Sequence, residues 1–319
     1  DQTKTDNFKV QSLTPPPPPP TEGDITLKKW YDANTNGQWD DGELEITGWK
    51  VDLLGLAPQN TAALYEHLTL ETKVAREYTP DQSNWVPTNA YIGSYSGTTT
   101  LSSDLAILNQ ISVALSTTYP SASVRSGNVC TGAGGGHTLG FWSNKNGQAM
   151  MGTGQVLEAN LLALRNLYLR DDNGNNFDPT KYAELRTWLL NGRAINMAYM
   201  LSVQLAALKL SVLTGEVQGG ALVYAPGATA ATAAGFITLN ALITDANESL
   251  SANGITRAGV TEREYQGLLK NALDNANNNR TFVQATPCAF SFTPPVATTN
   301  APWARGCKGK DRPSAGFFC

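Results

Sequence analysis

The sequence predicts an α+β chain in two parts, a small β-sandwich followed by an α-helical domain, with an extended arm in front and a tail behind. Three observations carry this. ITLKKWY (25–31) and LEITGWKVDLLG (44–55) are rich in β-branched and aromatic residues in rough alternation, as strands with one buried face require. Further on, apolar residues recur at helical spacing over 155–169, 179–191, 193–213, 234–251 and 261–277. Six consecutive prolines, Pro15 to Pro20, cut the first fourteen residues off from the rest. The resulting divisions are 1–23 for arm and linker, 24–130 for the sandwich, 131–290 for the helical domain and 291–319 for the tail.

Composition narrows the class of protein. The 319 residues, 41% of them hydrophobic, are enough to fill two cores. Charged residues make up only 16%, while Asn, Thr, Ser, Gly and Ala are abundant, which suits an extracellular or assembly-forming surface more than a cytosolic enzyme. The net charge is −4 and the sole basic cluster is CKGKDR (307–312), so nucleic acid is not an expected partner. No run of eighteen apolar residues exists, so no transmembrane segment is expected. Beginning at Asp1 without Met or signal peptide, the chain reads as a mature exported product. Cys130, Cys288, Cys307 and Cys319 fit an oxidising compartment and allow three pairings. The pairing taken forward joins Cys130 to Cys288, tying the second domain's start to its end, and Cys307 to Cys319. The alternative is a bond from Cys319 to a neighbouring molecule.

The arm, DQTKTDNFKVQSLT, is polar with alternating Phe8 and Val10 followed by Leu13. The six prolines form a stiff rod of roughly 19 Å as polyproline II. Composition alone gives a disordered tail. The other reading is a strand on a stalk that completes a neighbour's sheet edge.

After the first strand comes DANTNGQWDDGE (32–43), the stretch with the clearest chemistry. Counted from Asp32, oxygen-bearing side chains fall at positions 1, 3, 5, 9 and 12: Asp32, Asn34, Asn36, Asp40 and Glu43. Gly37 sits at position 6, where a sharp turn is needed, and Gln38 would add its backbone carbonyl. This is the twelve-residue pattern for Ca2+, which takes six to eight oxygens at about 2.3–2.6 Å. The flanks here are strands, so the loop joins two β-strands instead of two helices.

KWYDANTNGQWDDGE, ITGWKVDLLG and VAREYTPDQSNWVPT (74–88) together resemble the B-type repeats of Gram-positive surface adhesins, the calcium-binding modules of serine-aspartate repeat proteins and their collagen-adhesin relatives. The resemblance implies a prealbumin-like β-sandwich, calcium as a stiffener, and a spacer or adhesive role without catalysis. It departs between Leu56 and Lys73, where PQNTAALYEHLTLET replaces glycine-marked hairpins and leaves the middle strands open. Collagen-adhesin relatives sometimes join a Lys to an Asn or Asp beside a Glu in an isopeptide bond. Lys28 or Lys29 with Glu77 supply two of those parts, and no third residue is evident.

Residues 96–120 read as a strand followed by an inserted helix, with Leu105, Leu108, Ile111 and Leu115 on one face. SASVRSGNVC (121–130) resembles the closing strand of a B-type module. Within the helical region Asp178 followed by Pro179 reads as an N-cap and first helical position, and Gly215 and Gly254 mark helix ends. RAINMAYMLSVQLAALKLSVLTG is apolar nearly all round and should be the buried central helix. GHTLGFWSNKNG, LRDDNGNNFDPTKYAELRTWLLN, NMAYMLSVQLAALKL and NNNRTFVQATPC, spanning about 127–290, are similar to a group of secreted bacterial and environmental proteins. That similarity implies secretion and domain order and brings no activity.

Catalytic motifs are absent from the pattern. His67 and His137 are the two histidines and neither lies in a nucleophile, metal or acid–base motif. GAGGG (132–136) lacks a phosphate-loop ending and reads as a hinge or close-packed turn. Asp171, Asn173, Asn175 and Asp178 start a second possible calcium loop, but Tyr182 stands where the closing Glu belongs. Trp30, Trp39, Trp49 and Trp85 offer either a glycan platform or core. These features lead to the expectation of a secreted structural protein that self-associates into a calcium-stabilised homopolymer. A monomeric adhesin binding glycan or matrix is the alternative, and an enzyme acting on extracellular polymers is least favoured.

Overall fold

The computed structural model describes residues 17–95 and 110–293. In the first half the side chains alternate between core and solvent, so strands form. They are β1 (Glu22–Tyr31), β2 (Lys50–Leu53), β3 (Gln59–Asn60), β4 (Ala63–Thr69), β5 (Thr72–Glu77), β6 (Trp85–Tyr95), β7 (Gln110–Ala114) and β8 (Ser121–Gly132). One sheet runs β3-β2-β5-β7. The other places β8 between β1, which it pairs in parallel, and β6, with β4 outside β1. Ile25, Leu27 and Tyr31 from one sheet meet Trp49, Val51, Leu53 and Val113 from the other in a common core.

The stretch expected to hold an inserted helix proves to be strand where it is described. Ile111 and Leu115 belong to β7 and the turn after it, and the 111–113–115 alternation faces the core because β7 pairs with β5. Leu105 and Leu108 lie outside the described residues. The open middle region of the first half is filled by β3 and β4.

The second half holds α1 (Leu139–Trp142), α2 (Lys145–Met150), α3 (Gly154–Arg165), α4 (Tyr182–Leu190), α5 (Met197–Leu213), β9 (Leu222–Tyr224), β10 (Phe236–Thr238), α6 (Leu239–Ala252), α7 (Glu262–Asn277) and β11 (Phe282–Val283). Helix α5 is central, as its apolar circumference requires. Its polar interruptions are satisfied internally: Ser202 and Ser211 donate to the Ala198 and Ala207 carbonyls, and Gln204 donates to Asp274. Gly215, with φ +80°, follows the end of α5. Helix α4 starts later than the Asp178–Pro179 signal suggests, because the Glu184 carboxylate accepts from the backbone N–H groups of Thr180 and Lys181 and so fixes the first turn there.

This half is not purely helical. Strands β9, β10 and β11 extend the β8 sheet, with Phe282 and Val283 paired to Gly132 and Thr131. The boundary placed at Cys130 therefore falls inside β8, which runs through both halves. The chain then returns to the sandwich: Cys288 bonds to Cys130, and Phe290 and Phe292 pack on Trp49. Asp81 accepts from Thr293 N–H at 3.0 Å and anchors the end of this strap. Cys307 and Cys319, and the arm through residue 16, lie outside the described residues.

Candidate metal centre and a buried lysine

The loop between β1 and β2 is closed at its neck by two backbone bonds, Tyr31 N–H to Leu44 at 2.8 Å and Ile46 N–H to Lys29 at 2.8 Å. Inside it, Asp32 is fully buried and its two carboxylate oxygens accept from Asn36 N–H at 3.1 Å and Gly37 N–H at 2.8 Å. Gly37 adopts φ +76° and packs against Asn89, whose amide donates to the Gly37 carbonyl at 2.8 Å. A side chain at 37 would be strained by the backbone conformation and crowded by Asn89. Gln38, half-buried, donates its N–H to Asn36 Oδ1 at 2.7 Å.

Three more side chains converge. The Asn34 and Asn36 amides donate to the same Asp40 Oδ2, at 2.8 and 2.7 Å, and Glu43 Oε2 accepts from Asp40 N–H at 3.0 Å. Glu43 Oε1 is buried without a hydrogen-bond partner among the described residues. Burial pushes the Asp32 carboxyl above its usual range, opposed by the N–H bonds from Gly37 and Asn36. Burial also pushes Glu43 up, reinforced by the negative charges of Asp32 and Asp40. Among the described residues no three His, Cys, Asp or Glu side chains form a compact metal cluster. The oxygen set here is instead a mixture of carboxylates, amides and backbone. Such a hard-oxygen set, with like charges together and one carboxylate oxygen unpartnered, fits Ca2+ and not a soft metal.

The loop is held to the sheet by two marked tryptophans and by two residues, Asn89 and Tyr91, that the sequence did not mark. Trp39 stacks on Trp30 with ring centres 5.9 Å apart and donates its backbone N–H to Tyr91 Oη. Asn89 and Tyr91 come from β6, more than fifty residues away. Trp30, Trp49 and Trp85 are core residues, which removes them from any exposed aromatic platform.

Lys29 also lies on β1 and is fully buried. Its Nζ donates to Glu77 of β5 across the sandwich and sits 4.3 Å from the centre of the Trp49 ring. Burial pushes the amine below the ordinary lysine range, and the Glu77 charge opposes the shift. Asn128 of β8 pairs with Tyr31, and Ser126 pairs with Lys29. Paired residues of parallel strands share a face, so Asn128 lies one pleat along from Lys29 on the same side. Asn128 is buried and its Oδ1 has no hydrogen-bond partner among the described residues. Lys28 is less buried, and Lys29 is the lysine that meets Glu77.

The remaining candidates make local contacts. Asp171 accepts from the Asn173 and Asn175 N–H groups in a tight turn, and Asp172 is paired with Arg193. His137 stacks on Phe141 at 3.9 Å and contacts Glu216 at 3.1 Å, whereas His67 is exposed beside Glu22. The N–H groups of Gly134, Gly135 and Gly136 all donate to Asn279 Oδ1, so GAGGG is a close-packed turn.

No protein-family model matches the chain, and no curated protein matches it.

Proposed function

We propose that this chain is a secreted structural protein, a subunit of an extracellular homopolymer whose first half is stiffened by one Ca2+ in the 32–43 loop. The observation that carries the reading is the convergence of Asp32, Asn34, Asn36, Asp40 and Glu43 inside a neck closed by backbone bonds, with Glu43 Oε1 unpartnered. Bound there, calcium would neutralise the mutual repulsion of the carboxylates. Rotation of the Asn34 and Asn36 amides would turn their oxygens inward. The Cys130–Cys288 bond is consistent with an oxidising compartment, and no described helix is long and apolar enough to cross a membrane. The decisive experiment is a size measurement of the full chain with calcium and with chelator. Long polymers that need the ion support the reading, and a monomer in both conditions overturns it.

The same reading takes Lys29, Glu77 and Asn128 as a covalent lock between β1 and β8. The neutral Lys29 amine attacks Asn128 Cγ, a C–N bond forms, and the bond to the original carboxamide nitrogen breaks. Glu77 relays one amine proton to that nitrogen, which leaves as ammonia. The buried Lys29–Glu77 pair and the unpartnered Asn128 oxygen support this step. Intact mass tests it, since each bond removes one ammonia.

A further inference from the structure

A groove of about 870 Å³ opens in the helical region between α7 and the end of β9. Its size is that of a ligand site. Met197, Tyr224 and Leu268 form an apolar floor, while Glu264, Asn271 and Asn275 provide polar groups along one wall. Asn271 and Asn275 are one helical turn apart, so both amides point along the same side of α7. Gly267 keeps the middle open: a Cβ there would meet only Met197 Cε, at 3.9 Å.

Strand β1 begins at the end of β8 away from the helical region. β1 runs parallel to β8, with Asp24 beside Ser121 and Tyr31 beside Asn128, and β8 then continues to Gly132 and the helical region. Glu22 is thus at the end of β1 away from Gly132 and the helical region, and a ten-residue strand is about 33 Å long. Pro17 to Pro20 are exposed. Before them the sequence supplies sixteen more residues, roughly 50 Å of chain at about 3.1 Å each.

We propose that this groove receives the N-terminal arm of a second copy of the chain. The inference rests on the polymer reading and names the contact that would build it. In an extended arm, Phe8 and Val10 share a face and fit the apolar floor. The Asn271 and Asn275 amides can pair with the arm's backbone, and the Glu264 carboxylate is complementary to Lys4, which shares the face of Phe8 and Val10 in an extended arm, while Arg263, also in the lining, donates to the Ile195 and Thr256 carbonyls. Each copy has one arm and one groove, so each can offer one and accept one. Such a head-to-tail contact gives an open chain unless rotation closes a ring.

The test uses the full chain, a synthetic peptide of residues 1–16, and two variants, Gly267→Phe and the double change Asn271→Ala with Asn275→Ala. Polymer length is read by light scattering, peptide binding by fluorescence anisotropy, and folding by thermal melting. Expected are shortening of wild-type polymers by excess peptide and not by a scrambled one, and at least tenfold weaker peptide binding with loss of polymers in whichever variant melts like wild type. Polymers unchanged in a folded variant would overturn the groove while leaving the polymer reading intact. A full chain that stays monomeric and refuses the peptide until its own arm is removed would place the arm on its own groove and overturn the second copy. A monomer that binds no peptide in any form would remove both readings.

Discussion

Lys29 donates its Nζ hydrogen bond to Glu77 from the opposite sheet, and the two side chains are almost wholly withdrawn from water. A buried ion pair of this kind adds little to stability over an apolar pair, but removing one partner is costly. In the proposed lock, Lys29 and Glu77 would also be reactants, with Asn128 one pleat along β8 on the same face.

Glu77→Gln is therefore expected to lower stability by about 3–5 kcal/mol, the usual cost of leaving one buried partner alone. It should also restore the mass of one ammonia relative to wild type. Denaturant unfolding and intact-mass spectrometry check both. An equal mass for wild type and variant, each matching the sequence, would remove the covalent lock.

Calcium at a hundredfold excess over its dissociation constant should stabilise the chain by about 2.7 kcal/mol through mass action. Asp32→Ala should abolish that increment, because Asp32 also orders the loop through Asn36 and Gly37 N–H groups. Melting curves with and without chelator measure it.

The pH dependence of the calcium effect follows from Asp32 and Glu43. Both folded-state values are raised, so between the unfolded and folded pKa the metal-free folded chain holds more protons than the unfolded one. Without metal, these two groups make stability fall as pH rises through that window. Calcium must displace those protons. Its affinity should begin to fall, as pH is lowered, above the ordinary carboxylate range, and proton release on binding should grow there. Titration calorimetry in two buffers of different ionisation enthalpy reads the protons directly.

Replacing Cys130 and Cys288 by Ser should cost about 2–4 kcal/mol. The bond closes a loop spanning 158 residues and holds the strap whose Phe290 and Phe292 cover Trp49. Proteolysis should then cut first near residues 284–293. Cleavage at the same rate as wild type would show that the strap stays docked without it.

What was legible in the sequence was mostly local. The 32–43 turn could be read because its hydrogen bonds are carried by neighbouring residues, and α5 because seventeen residues keep an apolar circumference. Ile111 and Leu115 misled because an i, i+4 apolar pair is common to a helix face and a strand face, and only pairing of β7 with β5 decides between them. The short strands β9 to β11 owe their existence to β8, a partner distant in the chain. Asn128 went unseen for the same reason: nothing in SGNVC marks a buried amide until β8 lies in register beside β1. Asn89 and Tyr91, which pin the loop, are likewise known only from contact.

The most direct test of the proposed calcium centre is calorimetric titration of Ca2+ into metal-free protein at neutral pH, with Glu43→Gln in parallel. One site per chain in the wild type, weakened at least tenfold in the variant and accompanied by a higher melting temperature, is the expected result. Absence of binding, or a site untouched by the Glu43 change, would contradict it.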